Sequence, residues 1–281
     1  SAYYHESSVF LTDGININCF LKEEYFTRIK GDKSFPKRSL EFLIKNYSLN
    51  EKNIKSICFY EKPFKSWWEI FIYSIKKPLE NKKLLTHHLK NFNTGSIFFY
   101  THLNKIIKIS KDKILYSSHH LSHCLYGSLY VKNVDDYAFI SCDGVGEGET
   151  MTIYTIDSEN LIKKHWTNFY PNSIGLFYST ITDFLGFDIN EGEFKVMSLS
   201  SYGNPIYEKE MDQIFDCEKL KINSSYFEFQ KNPERSFSDM LIKIFGKPYL
   251  NLSIKENFQK YSNIASSAQL TLNKSVKNLI L

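Results

Sequence analysis

A run of hairpin, strand and helix occurs twice in this chain, once before and once after residue 134. In the first copy, apolar runs at 8–11 and 15–21 flank Thr12-Asp13-Gly14, a strong hairpin signal. A short amphipathic helix over 39–47 and a strand over 54–60 follow. In the second copy, strands over 137–142 and 150–156 turn about Asp143, and a third covers 161–169. A helix over 173–184 then puts Ile174, Phe177, Ile181 and Phe184 on one face, with Ser173 as its N-cap. Such a repeat predicts two related α/β lobes with a cleft between them, not a Rossmann sheet of strictly alternating strands and helices. The lobes are expected at 1–134, with a helical, aromatic-rich insertion over 65–109, and at 135–281. The stretch 187–205 reads as loop-rich, and 206–253 carries no legible chemistry.

Composition bounds the rest. At 281 residues, 42% hydrophobic, the chain can bury one large core or two moderate ones. Lys and Arg exceed Asp and Glu by a formal +4, and the one basic concentration, 76–90, alternates with Leu and Asn like the wet face of a helix. A nucleic-acid partner is therefore not expected. The apolar run at 67–75 is too short to span a bilayer and contains Glu69, so no membrane partner is expected either. Five cysteines, widely spaced and without a CxxC pair, read as buried small side chains in a reducing compartment, and no secretory signal opens the chain. A cytoplasmic location follows as an expectation. Both ends look cut: the chain opens part-way along a strand, and it closes on an apolar helix over 256–281 that lacks a capping signal.

Chemistry concentrates in 117–148. His119 and His123 lie four apart, one turn of a helix, and share a face if the segment is helical. Two imidazoles so placed can close on one metal ion. About twenty residues on, an apolar run ends in Asp143-Gly144-Val145-Gly146. A carboxylate at a strand's end, followed by glycines, sets an acid and a row of backbone N–H groups in one crevice, which suits a metal and a phosphate together. A zinc-protease reading would need Glu directly after the first histidine; His120 stands there. The blander alternatives stay open: surface histidines, and a plain hairpin turn at Asp143-Gly144.

Three further clusters are candidates. His5, in Tyr4-His5-Glu6-Ser7-Ser8, either belongs to a strand cap or faces a ligand. Arg28 and Lys30, two apart, would point the same way from an extended segment and could grip an anion; a solvated loop is the alternative. Glu193 and Lys195 form an acid–base pair after a glycine, or else a surface ion pair of little worth.

Five blocks then add up. They are YHESS at 4–8; EEYFTRIK at 23–30 with SFP at 34–36; SHHLSH at 118–123; DGVGE at 143–147; and GLFYS at 175–179 with LGF, GEFKVM and SYG at 185–187, 192–197 and 201–203. In this order the set resembles the amino-terminal part of the O-carbamoyltransferases of the NodU/CmcH type, which carbamoylate nodulation factors, cephalosporins and aminoglycosides. The resemblance implies an actin/Hsp70/sugar-kinase-like (ribonuclease H-like) fold, related to the tRNA threonylcarbamoyl-transfer subunit, with the second lobe truncated. It implies that a carboxy-terminal domain makes carbamoyl-adenylate from carbamoyl phosphate and ATP. The amino-terminal domain then transfers the carbamoyl group to an acceptor hydroxyl of a sugar or natural product. Carried over by motif, a divalent metal of the iron type would be held by His119, His123 and Asp143. Arg28 and Lys30 would neutralise phosphate, and His5 would orient the carbamoyl group or accept the acceptor proton. Gly144, Gly146, Glu193 and Lys195 would line the nucleotide or acceptor side.

The chain departs from the family pattern at two places: Gly31 stands where His or Asn is common, and Ser198 where Gly is common. The family's next block, a GGxxxN run, and the adenylate-forming domain would follow Leu281, so a fragment inactive by itself is expected. The competing readings are a non-catalytic nucleotide- and metal-binding assembly module and, disfavoured by the charge balance, a tRNA-modifying relative.

Overall fold

The computed structural model describes residues 1–4, 6–90, 92, 95–131, 137–159, 161–248 and 255–281, with backbone alone at 255 and 256. His5 therefore lies outside the described residues. In chain order the elements are β1 (Ser8–Thr12), β2 (Ile17–Lys22), α1 (Glu24–Thr27), α2 (Lys37–Asn46), β3 (Ile57–Phe59), α3 (Pro63–Lys76), α4 (Lys82–Lys90), α5 (Phe99–Ile106), β4 (Ile114–Tyr116) and α6 (His119–Ser128). There follow β5 (Tyr137–Gly146), β6 (Glu149–Ile156), β7 (Ile162–Phe169), α7 (Ile174–Phe184), α8 (Glu193–Ser200), α9 (Glu208–Ile214), β8 (Phe215–Asp216), β9 (Lys221–Ile222), α10 (Asp239–Phe245) and α11 (Lys255–Ile280). The topology is mixed α/β with several small sheets. Two compact units result, Ser1–Trp68 with His88–Ser122, and Glu69–His87 with His123–Leu281. Among the described residues no helix is long and apolar enough to cross a membrane.

In the first unit β1 and β2 pair antiparallel. Their turn forms because Asp13 Oδ1 accepts the N–H groups of Ile15 and Asn16, at 2.9 and 2.8 Å. β3 pairs with β4, parallel, instead of joining the hairpin. Ala2, Phe59, Phe99, Leu103, Ile107, Ile109 and Ile114 make the core, with Phe59 and Phe99 stacked at 4.3 Å. Helix α2 begins after Pro36, which offers its first-turn N–H groups no side-chain acceptor. Glu23 supplies one: its carboxylate accepts from Arg38 N, Ser39 N and Ser39 Oγ at 2.7–2.9 Å, and so can stay 2% exposed.

In the second unit β5, β6 and β7 form an antiparallel sheet, and α7 packs on β5. Its core is built from α7, α8, α9, α10 and α11 with residues of β6 and β8, centred on Phe177, Phe184, Met211, Phe215, Phe245 and Ile264. Ser173 caps α7, its Oγ accepting from Leu176 N at 3.0 Å.

Four local expectations are corrected. β5 does not end at Cys142: it runs to Gly146 through an irregular register between Cys142 and Gly146, and the turn falls at Glu147-Gly148. Both turn residues have positive φ (55° and 82°), the backbone a tight hairpin needs. The stretch read as loop-rich contains α8, whose Val196 and Leu199 are buried against α11 while Phe194 and Met197 are exposed. Arg28 does not sit in an extended segment; it closes α1 in the left-handed conformation, φ 62°. Of the cysteines only Cys124 is buried, Cys58 and Cys142 being exposed.

Candidate metal centre

Helix α6 starts on the histidines. Ser122 fixes its first turn, donating from Oγ to the Tyr60 carbonyl at 3.0 Å and from its N–H to Ser118 O at 2.9 Å. His120 turns inward, 1% exposed. His119 and His123 then fall on the neighbouring face, one turn apart, with the Tyr60 ring edge-on to His119 at 5.5 Å.

Asp143 arrives from the irregular part of β5. His123 Nε2 lies 3.6 Å from Asp143 Oδ2, the two side chains 51% and 32% exposed. The other carboxylate oxygen, Oδ1, accepts the N–H of Gly144 at 2.7 Å. One ligand atom each from His119, His123 and Asp143 lie within 4.8 Å of one another. Two imidazole nitrogens and a carboxylate oxygen are a donor set that divalent iron, zinc or manganese accepts. Three protein ligands is the number catalytic sites use when a place is kept for substrate. The residues fit a metal.

Two supports of Asp143 escape sequence reasoning. Ser173 Oγ donates to the Asp143 carbonyl at 2.8 Å while it caps α7. Gly175, in the first turn of that helix, lies so close beneath the Asp143–Gly144 peptide that a Cβ would fall 2.5 Å from Asp143 O and 2.7 Å from Gly144 N. The only signal in the sequence is a glycine inside a helical pattern, where it costs stability unless a backbone must come near.

The remaining candidates are placed as follows. Gly144 spends its N–H on Asp143, and Gly146 is buried opposite Glu149. Glu193 is the first residue of α8, and its Oε1 accepts from Ser179 Oγ at 2.8 Å and Asn190 N at 3.0 Å. Lys195 Nζ stands over the rings of Phe187 and Phe194, at 5.8 and 5.9 Å. Arg28 and Lys30 are exposed in the first unit.

Comparison with known proteins adds an independent finding. The model of the family described as carbamoyltransferase N-terminus matches residues 1–279. The chain is 29% identical, over 99% of its length, to the uncharacterized protein sll1178 of Synechocystis sp.. It is 30% identical over 70% of its length to the uncharacterized protein MJ1051 of Methanocaldococcus jannaschii, and 24% identical over 76% to the nodulation protein NolNO of Sinorhizobium fredii. These matches cover 46%, 32% and 30% of the relatives, so the chain spans less than half of their length.

Proposed function

The chain belongs to the family of carbamoyltransferase amino-terminal domains, and from that premise we propose that it is the transfer domain of an ATP-dependent O-carbamoyltransferase. Its fold is then the actin/Hsp70-like pair of duplicated lobes, 1–134 and 135–281, with a cleft. A carboxy-terminal adenylate-forming domain of the same protein makes carbamoyl-adenylate from carbamoyl phosphate, water and ATP: hydrolysis releases phosphate and leaves carbamate, whose oxygen bonds to the α-phosphorus of ATP as pyrophosphate departs. This domain passes the carbamoyl group to a hydroxyl of a sugar or natural product. The hydroxyl oxygen bonds to the carbamoyl carbon, the bond from that carbon to the adenylate phosphate oxygen breaks, and AMP leaves with the electron pair.

The observation that carries this reading is the convergence of His119, His123 and Asp143 within 4.8 Å in a chain matched to the family over 1–279. Those three residues would hold a divalent metal, iron by family resemblance, which when bound supplies a Lewis acid where negative charge builds on carbonyl or phosphate. Arg28 and Lys30 balance the phosphate charge of the adenylate. His5 accepts the proton of the acceptor hydroxyl. Glu193 and Lys195 line the nucleotide or acceptor side, Glu193 held by Ser179 and Asn190 and Lys195 by two aromatic faces. Gly144 and Gly146 keep the backbone open beside the phosphate.

The complete protein, incubated with labelled carbamoyl phosphate, ATP and a panel of sugars, should place label in a sugar carbamate. His5→Ala should abolish that transfer with metal content intact. Metal and nucleotide bound without transfer to any acceptor would instead make it an assembly module.

A further inference from the structure

The second unit contains a cavity that none of the roles above uses. Its volume is about 220 Å³, and it opens between one face of α3 and the β5–β6 hairpin with the end of β7. Glu69, Tyr73 and Lys76 recur at i, i+4 and i+7, so one helix face supplies a carboxylate, a phenol and an ammonium. Val145, Phe169 and Tyr170 supply the opposite, apolar wall.

The wall is held in place. Tyr73 and Tyr170 meet edge to face at 4.6 Å, and the Tyr73 hydroxyl donates to Gln230 Oε1 at 3.5 Å. Gln230 is itself buried and anchored by its amide to Ser224 O at 2.8 Å. At the hairpin turn, Gly148 at φ 82° lets the backbone touch the stem of Glu69; a Cβ there would be 3.1 Å from both Glu69 Cβ and Cγ.

Size and chemistry select the occupant. The cavity is smaller than the roughly 300–1,000 Å³ of sites that engulf drug-sized ligands, so it takes one ring and not a nucleotide, whose phosphates would also meet Glu69. An apolar wall suits the C–H face of a saturated ring, while a carboxylate and an ammonium across from it suit hydroxyl groups. Val145 is two residues from Asp143, about 7 Å along a strand, a separation that a single six-membered ring bridges.

We propose that this cavity seats the acceptor, a single polyhydroxylated ring of the sugar or cyclitol class, with Glu69 and Lys76 binding its hydroxyls and Tyr170 packing on its face. The inference rests on the carbamoyl-transfer reading for the meaning of the bound ring, but its test does not. Saturation-transfer NMR on the whole chain with methyl glucoside, methyl glucosaminide and myo-inositol should show transfer to ring protons of at least one probe. Glu69→Gln and Lys76→Gln, both at exposed helix positions, should each weaken its binding at least tenfold, and neither should alter metal content measured on the same samples. Transfer to none of the probes, or equal binding by both variants, overturns the proposal even when metal binds normally. A ring bound as expected beside a metal site that stays empty would uphold the cavity and sink the metal reading instead.

Discussion

Gly175 and Asp143 are in backbone contact: the first turn of α7 rests on the Asp143–Gly144 peptide with no room for a methyl group. An alanine at 175 would sit 2.5 Å from a carbonyl oxygen and 2.7 Å from an amide nitrogen, both main-chain atoms that cannot swing aside. Gly175→Ala should therefore destabilise by about 1–3 kcal/mol, although glycine-to-alanine changes within helices ordinarily stabilise. Urea denaturation together with metal titration tests this; unchanged midpoint and affinity would mean the two segments do not bear on each other.

Ser173 ties the same two segments by a hydrogen bond, and one hydroxyl serves both. Ser173→Ala should cost about 1 kcal/mol for the lost cap and weaken metal binding by roughly 10–100-fold, as removal of groups that orient a ligand does. Ser173→Thr, which keeps the hydroxyl, should restore most of both. A cap without influence on Asp143 would lower stability and leave metal affinity where it was.

His123 is half exposed, so its loss alone should hardly disturb the apo protein. Adding divalent iron, zinc or manganese at a hundred times its dissociation constant should stabilise the wild type by about 2.7 kcal/mol. The same addition should leave His123→Ala unchanged. Thermal scans with and without chelator read each arm, and equal stabilisation of the variant would remove His123 from the site.

Burial, with the charge of Glu193 adding to it, pushes the Tyr178 phenol up to about 12. In the unfolded chain the phenol ionises near 10. The unfolded state thus loses this proton first, and stability falls as pH rises from about 10 towards 12; below pH 10 the group adds no pH dependence. Tyr178→Phe should flatten the stability–pH slope in that window by one proton. It should also forgo the hydrogen bond to Gln269, 2.8 Å in the wild type. Urea midpoints measured between pH 9 and 11.5 decide it, and an identical slope would contradict the shift.

These sites differ in how far the amino-acid order announces them. Helix α7 is legible because Ser173 caps an apolar stripe that never breaks: Ile174, Phe177, Ile181 and Phe184 are all buried. Helix α8 is not, since exposed Phe194 and Met197 interleave with buried Val196 and Leu199 and blur the periodicity. The spacing of His119 and His123 identifies a helical face, yet only the fold shows that His120 between them is turned into the interior. Asp143-Gly144 carries a turn signature that tertiary contact overrides. Ser173 and Gly175 press on that peptide from α7, and the chain folds back four residues later, at Glu147-Gly148. The Glu23 carboxylate at the start of α2 comes from fifteen residues upstream of Arg38, beyond the reach of any local capping pattern.

The irregular register between Cys142 and Gly146 has a consequence for how this protein can vary. Side chains on a strand alternate, so dropping or adding one residue there would swing every later position of the hairpin to the opposite side. A change of count before Asp143 would also turn its carboxylate off the histidines. A substitution at Val145 changes one wall of the cavity, whereas an insertion or deletion anywhere from 142 to 146 displaces the whole segment. Descendants of this sequence are held there to Asp143 and to the number of residues around it.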